Sequence, residues 1–414
     1  MNMKTEPGSA AEQAGPRTRM LVIATLGFAV TFWAWALISP LAPSLATKLG
    51  LSSFQQSLIV AVPVIVGSLG RIPVGALTDR FGGRLMLPLV SVATIVPVLF
   101  LVFSGGLSSA LLLIGGFLLF FGGSSFAVGV PFVSAWFPPE RRGLAIGIFG
   151  VGMVGTAISA FTTVRLVELG SSATPFLVTA AALAVYAVVA WLLLRDAPGQ
   201  VRPTTSMAKR VGETLKLGVT WQAAALYATL FGGYVAFSVY LPSLLKAEYD
   251  LSIADASNRM AGFVILAVIM RPVGGFLSDK IGPVPVLATC LGAVVFGALI
   301  DATSPALFPI ATIAYLVMAA GLGAGSGATF ALVALLSPAG KVGSVTGVVG
   351  AAGGLGGFVP PLLMGVVYGA TGSYTIGFLL LALVAAAVLV FTLTSIRSVL
   401  AKRDAVEVQR KVTA

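Results

Sequence analysis

Two stretches of this sequence repeat one charge pattern inside apolar surroundings. The first, GRIPVGALTDRFGG, covers residues 70–83, and the second, MRPVGGFLSDKIG, covers residues 270–282. In each stretch an arginine is followed by glycine four residues later and by aspartate eight residues later: Arg71, Gly75 and Asp79, then Arg271, Gly275 and Asp279. A permanent charge placed twice, at equivalent points of a hydrophobic chain, predicts two homologous halves that share a central polar site.

The composition is that of a membrane protein. Of the 414 residues, 57% are hydrophobic and 9% are charged, and the mean hydropathy is +1.02. A soluble domain carries roughly 25% charged residues. The chain has no histidine and one cysteine, Cys290, so an internal disulfide, a histidine metal site and a Ser/His/Asp catalytic site are excluded. We expect no metal, no cofactor and no enzymatic activity.

Twelve apolar segments are long enough to cross a bilayer, which takes about 20 residues each. They predict an all-α membrane protein with twelve transmembrane helices in two pseudo-symmetric six-helix bundles. The segments lie near residues 20–45, 55–78, 85–104, 108–136, 142–167, 172–194, 220–245, 258–278, 284–301, 305–335, 341–369 and 373–396. The predicted organisation is a tail at 1–19, one bundle at 20–195, a linker at 196–219, a second bundle at 220–397 and a second tail at 398–414.

Basic residues concentrate in alternate loops and in both tails, as cytoplasmic segments do. We therefore expect both termini in the cytoplasm and the protein in the cytoplasmic membrane. The net charge of +11 is an orientation signal that also attracts anionic lipid, and it does not indicate nucleic-acid binding. GVGMVG at 150–155 has the form GxGxxG, but it lies in a transmembrane segment and not after a strand, so we reject a dinucleotide site.

The repeat extends to glycines. RRGLAIGIFGVG and KVGSVTGVVGAAGG space their glycines identically, 200 residues apart. We interpret these glycines as helix-packing and gating positions, because small residues let helices approach and slide. The predicted set is Gly147, Gly150, Gly152, Gly155, Gly347, Gly350 and Gly353. A second predicted set forms a conformational latch in the loops after the arginines: Gly75, Asp79, Arg80, Arg84, Asp279 and Lys280.

The loop GALTDRFGGR resembles the major facilitator signature between helices 2 and 3. The stretch from Gly122, GGSSFAVGVPFVSAWFPPERRGLAIGIFGVGMVG, and its counterpart from Ala324 resemble the nitrate signatures of the nitrate/nitrite porter family. The resemblance covers most of the twelve-helix core. It implies the major facilitator fold, transport of nitrate or nitrite, and substrate binding by Arg71, Arg271, Phe126, Tyr227 and Phe231.

Two positions depart from that family pattern. The family signature in the fifth helix has an asparagine, where GVGMVG places Met153, and Ser326 stands where asparagine is common in the tenth helix. A polar contact to the substrate, or a hydrogen bond that packs the helices, is therefore missing. These departures bear on the substrate and not on the fold.

The residues point to an anionic substrate independently of the resemblance. An arginine at membrane depth costs roughly 2.5–3.5 kcal/mol on insertion scales, so it needs a partner. Asp79 and Asp279 are two helical turns away from the arginines, about 12 Å along the axis. Two buried cations without counter-ions favour an anionic ligand, and the flat guanidinium fork suits a planar oxyanion between phenyl rings.

We therefore expect a monomeric secondary transporter of nitrate or nitrite. Proton-coupled uptake and nitrate/nitrite exchange both remain open, since the resemblance favours a proton as second substrate and the lack of a buried titratable partner favours exchange. The alternatives are a major facilitator carrier of another small or organic anion, and a sensor or an anion channel on the same scaffold.

Overall fold

The computed structural model describes residues 14–104, 108–198, 207–338 and 342–398, without the side chains of some helix residues, among them Asp79 and Arg80. Within these ranges the chain is helical and contains no β-strand. Twelve of the described helical segments are long and apolar enough to cross a membrane. This confirms the predicted fold class, and the observed bounds differ from the predicted ones by several residues.

The first half consists of six spans. Three of them are interrupted or bent, so they contain more than one helical piece. Span 1 is α1 (Ala14–Trp35) and α2 (Ile38–Leu49); span 2 is α3 (Ser53–Phe81); span 3 is α4 (Gly83–Ser104); span 4 is α5 (Ser109–Leu118) and α6 (Phe120–Trp136); span 5 is α7 (Pro139–Gly150), a 3-10 turn (Val151–Val154) and α8 (Gly155–Leu169); span 6 is α9 (Thr174–Leu193).

The second half follows after a short helix, α10 (Met207–Thr214). Its spans repeat the order of the first half, and spans 10 and 12 each include a π-helical turn. Span 7 is α11 (Gly218–Tyr249); span 8 is α12 (Ile253–Ile281); span 9 is α13 (Pro283–Asp301); span 10 is a π turn (Leu307–Ala311) and α14 (Thr312–Leu336); span 11 is α15 (Val342–Gly356) and α16 (Val359–Thr371); span 12 is α17 (Thr375–Phe391) and a π turn (Thr392–Ile396).

The repeat in sequence is also a repeat in local structure. Ser52 caps the start of span 2 by accepting a hydrogen bond from the Gln55 amide at 3.2 Å, and Ser252 caps span 8 through the Asp255 amide at 3.1 Å. Both spans end at a glycine, Gly82 or Gly282, with φ of +85°. That region of φ favours glycine, because a Cβ would be strained there. The two arginine-bearing helices are thus delimited by the same signals at both ends.

Small residues hold span 8 tightly against span 10. A Cβ added to Gly323 would overlap the backbone of Ala267, and one added to Gly327 would overlap the carbonyl of Arg271. Backbones can approach this closely only where side chains are absent. Arg271 therefore projects from a helix whose position is fixed by its neighbour.

The two halves touch at one end of the molecule and separate at the other. With twelve described spans, the chain begins and ends at the same end, which we call the tail end; the opposite end is the far end. At the far end Ser39 donates a hydrogen bond to the Val239 carbonyl, and Arg165 donates to the Asn258 side chain at 2.8 Å. Toward the tail end, a Cβ on Gly147 or Gly347 would meet no atom within 4 Å. The boundary between the halves is closed at the far end and open toward the tail end.

Candidate functional site: two arginines between the halves

Arg71 and Arg271 occupy matching levels of spans 2 and 8. Counted from Ser53 and from Ile253, each arginine is residue 19 of a 29-residue helix. The equal caps and the equal helix lengths put both side chains at the same depth, nearer to the tail end than to the far end.

Arg71 bonds to backbone carbonyls on both sides of the boundary. Its Nε donates to the Gly123 carbonyl in span 4 at 3.2 Å, and its Nη1 donates to the Gly350 carbonyl in span 11 at 2.9 Å. Its guanidinium carbon lies 5.6 Å from the centre of the Phe126 ring. The side chain thus reaches from the first half to the second and rests beside an aromatic ring.

Arg271 reaches across the boundary in the opposite direction. Its Nη1 contacts the sulfur of Met153 in span 5, and its Nη2 donates to the Tyr227 hydroxyl in span 7 at 2.9 Å. The guanidinium carbon is 5.3 Å from the centre of the Phe231 ring. Each arginine is therefore held partly by the half to which it does not belong.

The aromatic residues form a packed wall beside the arginines. Tyr227 and Phe231 lie one helical turn apart and stack in parallel, with ring centres 4.6 Å apart and an angle of 3°. Phe330 meets Tyr227 edge-on at 4.8 Å, and Phe126 lies 5.7 Å from Phe28. Since Tyr227 is 1% exposed and Phe231 is 3% exposed, this wall excludes water on the second-half side.

The predicted glycines fall into two groups. A Cβ at Gly152 or Gly155 would strike the backbone of span 1, and a Cβ at Gly353 would strike the rings of Tyr227 and Phe231. A Cβ at Gly350 would lie 3.6 Å from the Phe126 ring, which is an ordinary contact distance. The remaining three, which face open space, are Gly147, Gly150 and Gly347. The first group fixes the aromatic wall and span 5, and the second group borders the open side of the boundary.

The predicted latch residues lie at the tail end. Asp279 and Lys280 are exposed, and the Lys280 ammonium is 4.5 Å from the centre of the Phe276 ring. The backbone amide of Arg84 donates to the Asp196 carboxylate at 3.1 Å, so Asp196 caps span 3. Gly75 is half-buried in span 2, and the side chains of Asp79 and Arg80 lie outside the described part of the chain.

The two arginines have no negatively charged partner among the described residues. Among the described residues no carboxylate contacts either arginine, and no group of His, Cys, Asp or Glu could hold a metal ion. Two like charges without a counter-ion repel each other across a low-dielectric boundary. A single negative charge between them would relieve that repulsion and fill the remaining donor capacity of both guanidinium groups.

Sequence reasoning missed two features of the site, the carbonyl partners of Arg71 and the contact of Met153 with Arg271, and one buried carboxyl group outside it. A backbone carbonyl leaves no mark in the sequence, so the bonds of Arg71 to Gly123 and Gly350 could not be predicted. The sequence presents Met153 as a departure from the family pattern and not as a contact of Arg271. Asp301, at the far end of span 9, is 3% exposed, and its carboxyl oxygens have no hydrogen-bond partner among the described residues. It lies at the other end of its half from the arginines and supplies them with no counter-charge.

The comparison with known protein families and proteins shows which family the chain belongs to. The family model of the Major Facilitator Superfamily matches residues 24–257 and 223–411. The probable nitrate/nitrite transporter NarK2 of Mycobacterium tuberculosis is 48% identical over 381 residues, which is 91% of this chain and 96% of that protein. The nitrite extrusion protein of Bacillus subtilis is 35% identical over 370 residues, 89% of this chain and 91% of that protein.

A third relative is named for exchange. The probable nitrate/nitrite antiporter NarK1 of Thermus thermophilus is 35% identical over 293 residues, 67% of this chain and 65% of that protein.

Solved transporters share the fold at low sequence identity. A bacterial homologue of the human lysosomal transporter Spinster, in an inward-facing and occupied conformation, gives a TM-score of 0.72 at 18% identity and covers 92% of this chain and 97% of its own. A D-xylose–proton symporter gives a TM-score of 0.72 at 15% identity, and the match covers 91% of this chain and 97% of the symporter chain. From the family model and the three relatives, this multi-pass membrane protein belongs to the nitrate/nitrite porter family of the major facilitator superfamily, a family of transporters and not of enzymes.

Proposed function

We infer that this protein moves nitrate and nitrite across the cytoplasmic membrane by alternating access, with the anion held between Arg71 and Arg271. The observation that carries this proposal is the pair of cross-boundary arginines without a carboxylate partner among the described residues. The names of the relatives supply the substrate class.

The chemistry of the site suits a flat monovalent oxyanion. A guanidinium group can donate two parallel hydrogen bonds to two oxygens of one planar anion. The Tyr227 hydroxyl lies 2.9 Å from Arg271 and offers a further donor on the same side. The phenyl rings of Phe126 and Phe231 flank the two guanidinium groups and limit the space to a small ligand.

The separation of the halves suggests how the anion crosses. In this conformation the far end is closed and the region of Gly147, Gly150 and Gly347 is open, so the arginines are reached from the tail end. Rocking of one half against the other would reverse these ends around a fixed site. A bound anion neutralises the repulsion between the arginines and lets the open side close.

The distribution of basic residues predicts which end of the molecule faces the cytoplasm. Basic residues flank the tail end, which we propose faces the cytoplasm, so this conformation opens inward. The moving bodies would be residues 20–195 and 220–397, joined by the linker 196–219 and bounded by cytoplasmic tails. We propose that the monomer is the transporting unit and that lipid surrounds the spans.

Two couplings compete. Proton-coupled uptake agrees with the resemblance noted in the sequence. Nitrate/nitrite exchange agrees with the absence of a carboxylate on either arginine among the described residues, since an unoccupied return would bring two uncompensated charges together. The name of the Thermus thermophilus relative is that of an antiporter.

Counterflow in proteoliposomes tests the proposal. Vesicles loaded with nitrite receive labelled nitrate outside, with and without a proton gradient. Saturable entry should occur in the wild type and collapse in Arg71→Lys and Arg271→Lys, which keep the charge and lose the fork. Arg397→Lys, at an exposed position of the tail end outside the site and the predicted latch, is the matched control and should transport normally.

Each outcome leads to a definite conclusion. Entry that requires internal nitrite indicates exchange, and entry driven by the proton gradient alone indicates symport. Absence of nitrate entry in a folded, inserted wild type would exclude nitrate as the substrate, and a panel of other small anions competing for entry would then identify the substrate.

A further inference from the structure

The two arginines are held by acceptors of unequal strength. Arg71 bonds to the Gly123 and Gly350 carbonyls, at 3.2 and 2.9 Å. Arg271 bonds to the Tyr227 hydroxyl and to the sulfur of Met153. A carbonyl oxygen is a full acceptor, whereas a thioether sulfur is a weak one. The contact of Arg271 with the sulfur is therefore more easily exchanged for a hydrogen bond to a ligand than either bond of Arg71, and Met153 would line the place of that ligand.

Met153 is fixed at this place by the backbone of span 5. It lies in the 3-10 turn Val151–Val154 and is 1% exposed. Its carbonyl accepts a hydrogen bond from Thr156 at 2.9 Å, and the Thr156 hydroxyl lies 3.2 Å from the Tyr234 hydroxyl of span 7. The preceding residue, Gly152, packs against span 1. The sulfur is thus presented to Arg271 by a backbone that packs against span 1 and is linked to span 7 through the Thr156 side chain.

A thioether has chemical consequences for an anion bound to Arg271. It donates no hydrogen bond, so the anion loses water on this side and gains no donor in return. The loss is larger for an anion that holds its water strongly. Nitrate spreads its charge over three oxygens and nitrite over two, so the nitrite oxygens are the stronger hydrogen-bond acceptors. Desolvation against Met153 is therefore less costly for nitrate.

We propose that Met153 is a specificity-determining residue, and that its thioether makes the site prefer nitrate over nitrite. The proposal rests on the inferred function of the two arginines. It goes further, because it assigns the preference between the two anions to one side chain in the first half of the molecule.

Binding measurements on the purified protein test it. The dissociation constants of nitrate and nitrite are measured by calorimetry for the wild type, Met153→Asn and Met153→Leu. The wild type should bind nitrate more tightly. Met153→Asn supplies an amide donor and should lower the ratio of the nitrite to the nitrate dissociation constant by roughly three- to tenfold, mainly through tighter nitrite binding. Met153→Leu stays apolar and should keep the wild-type ratio.

Matched controls separate specificity from packing. Met260 is fully buried in span 8, so Met260→Leu reports the general effect of removing a buried thioether. If Met153→Asn does not fold, Met153→Ser introduces a smaller donor and is measured instead. A wild type that binds the two anions equally, or a polar variant with an unchanged ratio, would overturn the proposal. A wild type that binds neither anion in a folded state would instead overturn the inferred function itself.

Discussion

Arg71 and Arg271 occupy equivalent positions in the sequence, but they contact different hydrogen-bond acceptors and we expect them to have different roles. Arg71 connects the halves through strong carbonyl acceptors, and Arg271 faces a weak sulfur acceptor. We expect Arg271→Lys to raise the dissociation constant of the anion more than Arg71→Lys does. A hydrogen bond to a charged group is worth about 1.5–3 kcal/mol, so the larger effect should be about ten- to a hundredfold. Calorimetric titration of the two variants measures the difference, and equal losses would contradict the asymmetry.

The Tyr227 hydroxyl offers a second test on a single atom. Tyr227→Phe removes the acceptor for Arg271 and leaves the ring stack with Phe231 intact. We expect anion affinity to fall by about tenfold, because the hydroxyl holds the Arg271 guanidinium group in place and offers the anion a donor. The bond also exists without the anion, so the variant should lose some thermal stability as well. The anion should also raise the melting temperature of this variant less than it does in the wild type.

Tyr186 provides the matched control for that change. Its hydroxyl is buried and has no hydrogen-bond partner among the described residues. Tyr186→Phe should therefore bind the anion as the wild type does. A loss of affinity of the same size in both variants would mean that the effect arises from the general packing of the helices and not from the bond to Arg271.

Side-chain chemistry determined how much of the site the sequence could predict. The arginines stand out because a charge in an apolar segment is rare, and their repeat implies a common centre. The partners of Arg71 are backbone carbonyls, which any residue provides, so no pattern could identify Gly123 or Gly350. Met153 is apolar, and the family comparison presented it as a missing contact, whereas the structure places it against Arg271.

The lengths of the apolar segments predict where the spans lie, but they do not predict the breaks within the spans. Apolar length predicts the spans because a bilayer requires it, and the described helices agree with the prediction to within several residues. The 3-10 turn inside span 5 and the break between α15 and α16 in span 11 are different, because both depend on contacts with other helices. Both breaks occur in glycine-rich stretches beside the arginines, where backbone geometry serves packing between spans.

Substitutions at two glycines of span 11 allow the effects of helix packing and of the transport movement to be measured separately. Gly353 leaves room for the rings of Tyr227 and Phe231, whereas Gly347 faces open space. Gly353→Ala should destabilise the protein by about 1–3 kcal/mol, since overpacking displaces the rings. Gly347→Ala should leave the melting temperature unchanged and slow transport, because the added methyl group meets the opposite half only when the tail end closes. Normal transport by Gly347→Ala would show that this glycine does not approach the other half during the cycle.

At the scale of the whole molecule, the contacts between the halves define one of two alternating shapes. Cross-boundary hydrogen bonds such as Arg165–Asn258 lie at the far end, and the arginine contacts with Gly350 and Met153 lie nearer to the tail end. If transport requires the far end to open, a covalent bond across that end should stop it. Spans 2 and 11 offer the place for such a bond.

Ser53 and Gly369 have the Cβ separation that a disulfide requires. A Cβ added to Gly369 would lie 3.7 Å from the Cβ of Ser53, close to the mean of about 3.8 Å found in disulfides. We expect Ser53→Cys with Gly369→Cys, in a Cys290→Ala background, to lose counterflow on oxidation and to recover it after reduction. The single-cysteine variants should transport under both conditions. An oxidised, cross-linked pair that still exchanges anions would refute alternation at this boundary, because the anion would then cross without separation of spans 2 and 11.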